Sequence, residues 1–176
     1  MIVVASLGTG EVSAREWFDR AIDAQIDYAP AYAAYVDSLR PVNGGSILAM
    51  YRFAKECLDS ALFGSDVPLW YARTLQRIQR EIENPREAWA SRGVDECLRR
   101  LFDGYAAKKR PTLGENALDS GRCVLAWAGG RYADALAAWG KAGKRLDPQW
   151  FPLVGQEDAT LVEADLRYLE THPEAK

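Results

Sequence analysis

Histidine is almost missing from this chain: there is one, His172, close to the C-terminus. A metal centre needs clustered histidine, cysteine or carboxylate ligands, and a lone tail histidine cannot start one. Cysteine is scarce too. Cys57, Cys97 and Cys123 are widely spaced, each within an apolar helical pattern. That arrangement excludes a disulfide framework and reads as small buried hydrophobes in a reducing compartment. No apolar run approaches the roughly 20 residues of a membrane span. Met1 to Leu7 is apolar but short, with no cationic flank before it, so neither a signal peptide nor a membrane partner is expected. An excess of one charge is also lacking. Twenty-two basic residues face 25 acidic ones, for a net charge of -3, which gives no global attraction to polyanions. Sustained period-two alternation is absent, so strands are not expected.

What remains is a chain of 176 residues with helical periodicity along most of its length. Ser13-Ala14-Arg15-Glu16 has capping-box spacing and predicts a helix to about Gln25. Pro30 suits the first turn of the next helix, whose stripe is Tyr28, Tyr32, Tyr35 and Leu39. Arg40-Pro41 ends it, and Ser46 is placed to cap a third helix with the stripe Ile47, Met50, Tyr51, Ala54, Cys57 and Leu58. A fourth carries Tyr71, Leu75, Ile78 and Ile82, and a fifth carries Val94, Cys97, Leu98, Leu101, Phe102 and Tyr105. Between them lies a short turn around Trp89. The sixth runs from about Glu115 to Ala128, and Gly129-Gly130 turns into the seventh. Leu146 to Gly155 is a proline-broken loop whose Trp150 and Phe151 tuck over the core. A last helix uses Leu161, Val162, Leu166 and Leu169.

Three constellations invite a chemical reading, and each has a plainer one. Gly8-Thr9-Gly10 precedes a helix as a phosphate loop would, but Ser13 replaces the third glycine and no βαβ unit follows. Arg73, Gln76, Arg77 and Arg80, with Arg99, Arg100, Lys108, Lys109 and Arg110, could track a nucleic-acid backbone. Glu81, Glu83 and Asp95 balance them, which favours a solvated face. Glu157, Asp158, Glu163 and Asp165 sit at a helix start, where they complement the helix dipole rather than form an acid–base pair. No nucleophile with a base, metal set or cofactor motif is present, so a cofactor-free non-enzyme is expected.

The segment Gly130-Arg131-Tyr132-Ala133-Asp134-Ala135-Leu136-Ala137-Ala138-Trp139-Gly140-Lys141-Ala142 is the most specific signal. Its small-large-small spacing at Ala135, Trp139 and Ala142 resembles the second helix of a tetratricopeptide (TPR) repeat. Ala14, Phe18 and Ala21 repeat the spacing, with a junction-like Asp27-Tyr28-Ala29-Pro30-Ala31-Tyr32 after them. The turn Leu39-Arg40-Pro41-Val42-Asn43-Gly44-Gly45-Ser46 is similar to that of uncharacterised bacterial proteins with TPR-like hairpins, whose turn reads roughly Arg-Pro-x-Trp-Gly-Gly-Ser. Asn43 stands where the tryptophan would be.

The resemblance implies an all-α fold of antiparallel helical hairpins stacked as a short TPR-like α-α superhelix. It implies one domain over residues 1–176, with repeat-like units at about 13–62 and 114–148 and a capping helix at about 158–171. The chain opens on a TPR-like second helix, which is expected of a piece of a longer protein or of a degenerate first repeat. The function implied is a scaffold that binds a peptide or protein segment on its concave face, in the cytoplasm. By analogy with TPR inner helices, Asp37, Arg40, Ser120 and Trp127 would face that groove, with Trp127 either an anchor there or a residue of the core. Ala33, Ala34 and Asp37 cannot form the lysine–asparagine carboxylate clamp of some TPR domains, so a chaperone-tail receptor is disfavoured. An apolar hairpin face left open at the start would favour self-association. A helical enzyme of unknown reaction and a nucleic-acid binder using the basic helices are the alternatives.

Overall fold

The structure, a computed structural model, describes residues 12–108, 113–156, 159–172 and 174. The described residues are mostly helical, with no strand among them, and the fold class is all-α. They fall into two compact units, Met1–Glu81 and Ile82–Lys176. The glycine segment at residues 8–10, Lys109, Arg110, Glu157 and Asp158 lie outside the described residues.

In the first unit α1 (Ala14–Ala24) packs on α2 (Ala29–Ser38), and α3 (Ile47–Asp59) packs on α4 (Trp70–Ile78). The capping box that starts α1 is complete. Ser13 Oγ accepts from the Glu16 amide at 3.2 Å and Glu16 Oε2 accepts from the Ser13 amide at 2.9 Å. Ser46 caps α3 by accepting from Ala49 N–H. Helix α4 stops at Ile78, short of Ile82: Arg80 and Glu81 donate to carbonyls three residues back, a tightening typical of a helix end.

An aromatic cluster fills this unit. Phe18 stacks on Tyr35 at 4.7 Å and meets Tyr32 and Phe53 edge-on at 5.0 and 5.2 Å. Tyr32 stacks on Trp70, and its hydroxyl donates to Ile26 O. Tyr28, expected in the same stripe, is instead 45% exposed, because it stands before the first turn of α2.

In the second unit a short α5 (Glu87–Ala90) leads into α6 (Arg92–Ala106), α7 (Glu115–Ala128) and α8 (Tyr132–Lys141). A 3-10 segment, Pro148–Val154, and α9 (Ala159–Thr171) follow. Helices α7 and α8 form a close hairpin. Gly130 takes a positive φ of 73°, and Arg131 N–H reaches back to Ala126 O. Ala135, Trp139 and Ala142 are all buried, as their spacing predicts. Tyr132 is only half-buried, and Leu161, expected inside, is 61% exposed. Trp150 and Phe151 do tuck in. Gly121 makes room for Trp150: a Cβ there would lie 2.7 Å from both the Phe102 and Trp150 rings.

All three cysteines are free and buried. Burial raises the Cys57 thiol well above its usual range and pushes Cys123 up to about 12. The folded protein is therefore expected to resist iodoacetamide at pH 8 and to take up three labels once unfolded in urea. Rapid native labelling would place a thiol at the surface.

Candidate functional site

Helices α6, α7 and α8 of the second unit enclose an open cleft of about 400 Å³. Its floor is apolar: Leu98 and Phe102 from α6, Leu125 and Ala126 from α7, Ala137 and Ala138 from α8. Helical spacing explains the convergence. Positions 98 and 102, 122 and 126, and 134, 137, 138 and 141 each share one face of their helix. The alanines of α8 are small enough to leave the space between the helices open.

Charges rim the floor. Arg99, Arg122, Arg131 and Lys141 stand beside Asp95, Asp103 and Asp134. Most of them are already engaged. Asp95 bridges Arg99 at 2.8 Å and Arg131 at 3.0 Å. Arg122 contacts Asp103 at 2.9 Å and Asp119 at 3.2 Å, and its guanidinium lies over the Phe102 ring. Asp134 and Lys141 have no ion pair or side-chain hydrogen bond among the described residues.

Arg131 is the best-held cation, and its role is not visible in the chain's periodicity. One guanidinium nitrogen donates to Trp89 O at 2.9 Å and another to Leu125 O at 3.3 Å. Its Nε faces Asp95 at ion-pair distance, with an angle that falls short of a hydrogen bond. Gly129 makes room: a Cβ there would sit 2.5 Å from Arg131 Nη1 and 2.6 Å from Trp89 O. Arg131 thus ties the ends of α5 and α7 to α6 and fixes one wall of the cleft. Arg131→Met should cost about 2 kcal/mol, since it strips donors from two carbonyls and a partner from Asp95. A melting temperature within a degree of wild type would show that these bonds are replaced by water.

Of the four residues expected to face a groove, Ser120 is fully buried, while Asp37, Arg40 and Trp127 are part-exposed. Ser120 does not face one: it is fully buried, and its hydroxyl accepts from Asp147 N–H at 2.9 Å, pinning the loop after α8. Its helix turns this face toward the 3-10 segment rather than outward. Arg40 is paired with Glu81 at 2.6 Å, and its carbonyl accepts from Asn43 and Gly45. Asp37 lies 4.0 Å from Arg77, and its carbonyl accepts from the Asn43 side chain. Both belong to the scaffolding of the turn that joins α2 to α3. Asn43 closes the end of α2 through its side-chain amide, which donates to Asp37 O. Trp127 is half-buried on α7 and is not among the residues lining the cleft.

Three cations of the basic helices have an acidic partner, with Arg77 4.0 Å from Asp37. Arg73 pairs with Asp66, and Arg99 with Asp95. Among the described residues no cluster of histidine, cysteine and carboxylates could hold a metal ion. No described helix is long and apolar enough to cross a membrane. Comparison with known protein families, with curated proteins and with solved structures finds no match.

Proposed function

We propose that the protein is a non-enzymatic interaction module, built from TPR-like helical hairpins, whose second unit receives a peptide or protein segment in the cleft of α6, α7 and α8. The observation that carries this reading is the cleft itself, with its apolar floor and charged rim on three helices. A floor of this kind can bury an apolar side chain, while the rim selects its neighbours. The buried Ala135, Trp139 and Ala142 support the TPR-like hairpin. A cytoplasmic setting goes with the reading, as three unpaired thiols suit a reducing compartment.

The test is selection from a random-peptide display library against wild type and Ala137→Arg. Ala137 is exposed within the cleft, so arginine fills the space without entering the core. Enriched peptides should bind the variant at least about tenfold more weakly, at unchanged melting temperature. Binding that ignores Ala137→Arg would rule the cleft out. Trp127→Ala, on α7 outside the lining, is the companion variant. If it alone abolishes binding, the partner sits on the Trp127 face instead.

A further inference from the structure

Helix α8 carries two rim charges with no ion pair or side-chain hydrogen bond among the described residues, Asp134 in its first turn and Lys141 in its last. They lie seven positions apart, which is about 10 Å along a helix. Ala137 and Ala138 lie between them, and Phe102 and Leu125 complete the floor. The other rim charges differ in kind: Asp95 is held by Arg99 and Arg131, and Arg122 by Asp103. Asp134 near the helix start and Lys141 near its end are each favoured by the helix dipole. Both are exposed, so a charged partner can reach them.

Resting on the reading that the cleft takes a peptide, we infer that its occupant is an extended segment with one basic and one acidic residue about three positions apart, flanking apolar residues. An extended chain rises about 3.3 Å per residue, so three steps cover the distance from Asp134 to Lys141. The basic residue would meet Asp134 and the acidic one Lys141. The apolar side chain between them would rest against Ala137, which is exposed in the cleft.

Charge reversal tests this independently of peptide direction. The same display library is selected against wild type, Lys141→Glu and Asp134→Lys, all at low salt. Both sites are exposed, so the variants should melt like wild type. Wild type should enrich mixed-charge segments. Lys141→Glu should switch the preference to segments basic at both ends, and Asp134→Lys to segments acidic at both ends. Synthetic blocked peptides Lys-Leu-Leu-Glu, Lys-Leu-Leu-Lys and Glu-Leu-Leu-Glu should change rank in the same order. Each reversal should be worth about fivefold and shrink as salt is raised.

Peptides that are blocked by Ala137→Arg but keep one charge pattern across all three proteins would overturn this inference and leave the peptide-binding reading standing. If nothing selected depends on Ala137, both fall. Two controls use the unmodified protein. Salt-sensitive capture of oligothymidylate, lost in Lys141→Glu, would give the cleft to nucleic acid. A concentration-dependent mass lost in Ala137→Arg would give it to a second copy of the chain. Either result would also overturn the inference.

Discussion

Phe18→Ala is expected to destabilise the first unit by about 4 kcal/mol, the upper range for truncating a buried aromatic. Phe18 is 2% exposed and sits at the centre of the aromatic cluster, against Tyr32, Tyr35 and Phe53. Its loss would leave a cavity that three rings from two other helices cannot refill without leaving their rotamers. It would also remove the contact through which α1 holds both α2 and α3. The second link between α1 and α3 lies at the surface: Arg15 bonds Glu56 through two nitrogens, both side chains about half exposed. Such a pair contributes little by comparison. Denaturation in urea should show it. With a slope of about 2 kcal/mol per molar, the midpoint of the transition should fall by about 2 M. Arg15→Ala should move it by less than half a molar. A reversed ranking would mean that the surface pair, not the aromatic cluster, holds α1 in place.

Gly45→Ala is expected to cost about 3 kcal/mol, although it adds one methyl group to a surface turn. A Cβ at Gly45 would lie 2.0 Å from Leu39 O and 2.3 Å from its carbonyl carbon. Those are backbone atoms that cannot rotate away, and Gly45 N–H is bonded to Arg40 O at 3.0 Å. The turn would have to open, breaking that bond and shifting Ser46 from its capping position on α3. Gly44→Ala is the informative comparison. Gly44 has a φ of 85° but nothing within 4 Å of an added Cβ. It should lose only the strain of a left-handed residue, about 1 kcal/mol. Thermal melts of the two variants separate the effects. Equal losses would show that strain, not the collision with Leu39, makes glycine necessary at this turn.

The aromatic cluster and the glycine turn differ in how far the chain alone determines them. Phe18 is identifiable in the chain because Ala14, Phe18 and Ala21 carry helical small-large-small spacing. Phe53 belongs to the same cluster but falls beside the apolar stripe of Ile47, Met50, Ala54 and Cys57. A helix packed on more than one side buries more than one stripe, and a single periodicity shows only one of them. Tyr28 and Leu161 fail in the opposite sense. Each continues a stripe, yet Tyr28 precedes its helix and stays 45% exposed, and Leu161 stays 61% exposed.

Local chemistry accordingly determined most of the secondary structure. Ser13 and Ser46 start helices because their hydroxyls satisfy amides that a helix start leaves free. Proline at 30 and 41 and glycine at 44 and 130 mark boundaries because they restrict or release φ. The span Glu115–Ala128 and its hairpin with α8 are likewise local, written in a turn of two glycines and a row of alanines. The candidate site is not local. Its cleft exists because faces of three helices, separated by up to 46 positions between Asp95 and Lys141, are brought together with small side chains between them. Ser120 shows the converse: a polar residue that looks available along the chain is consumed by Asp147, 27 positions away. Capping, turns and periodicity act within a few residues and can be read along the chain. Which charges find partners, which stripe is covered and where space is left depend on contacts between distant segments, and only the tertiary structure decides them.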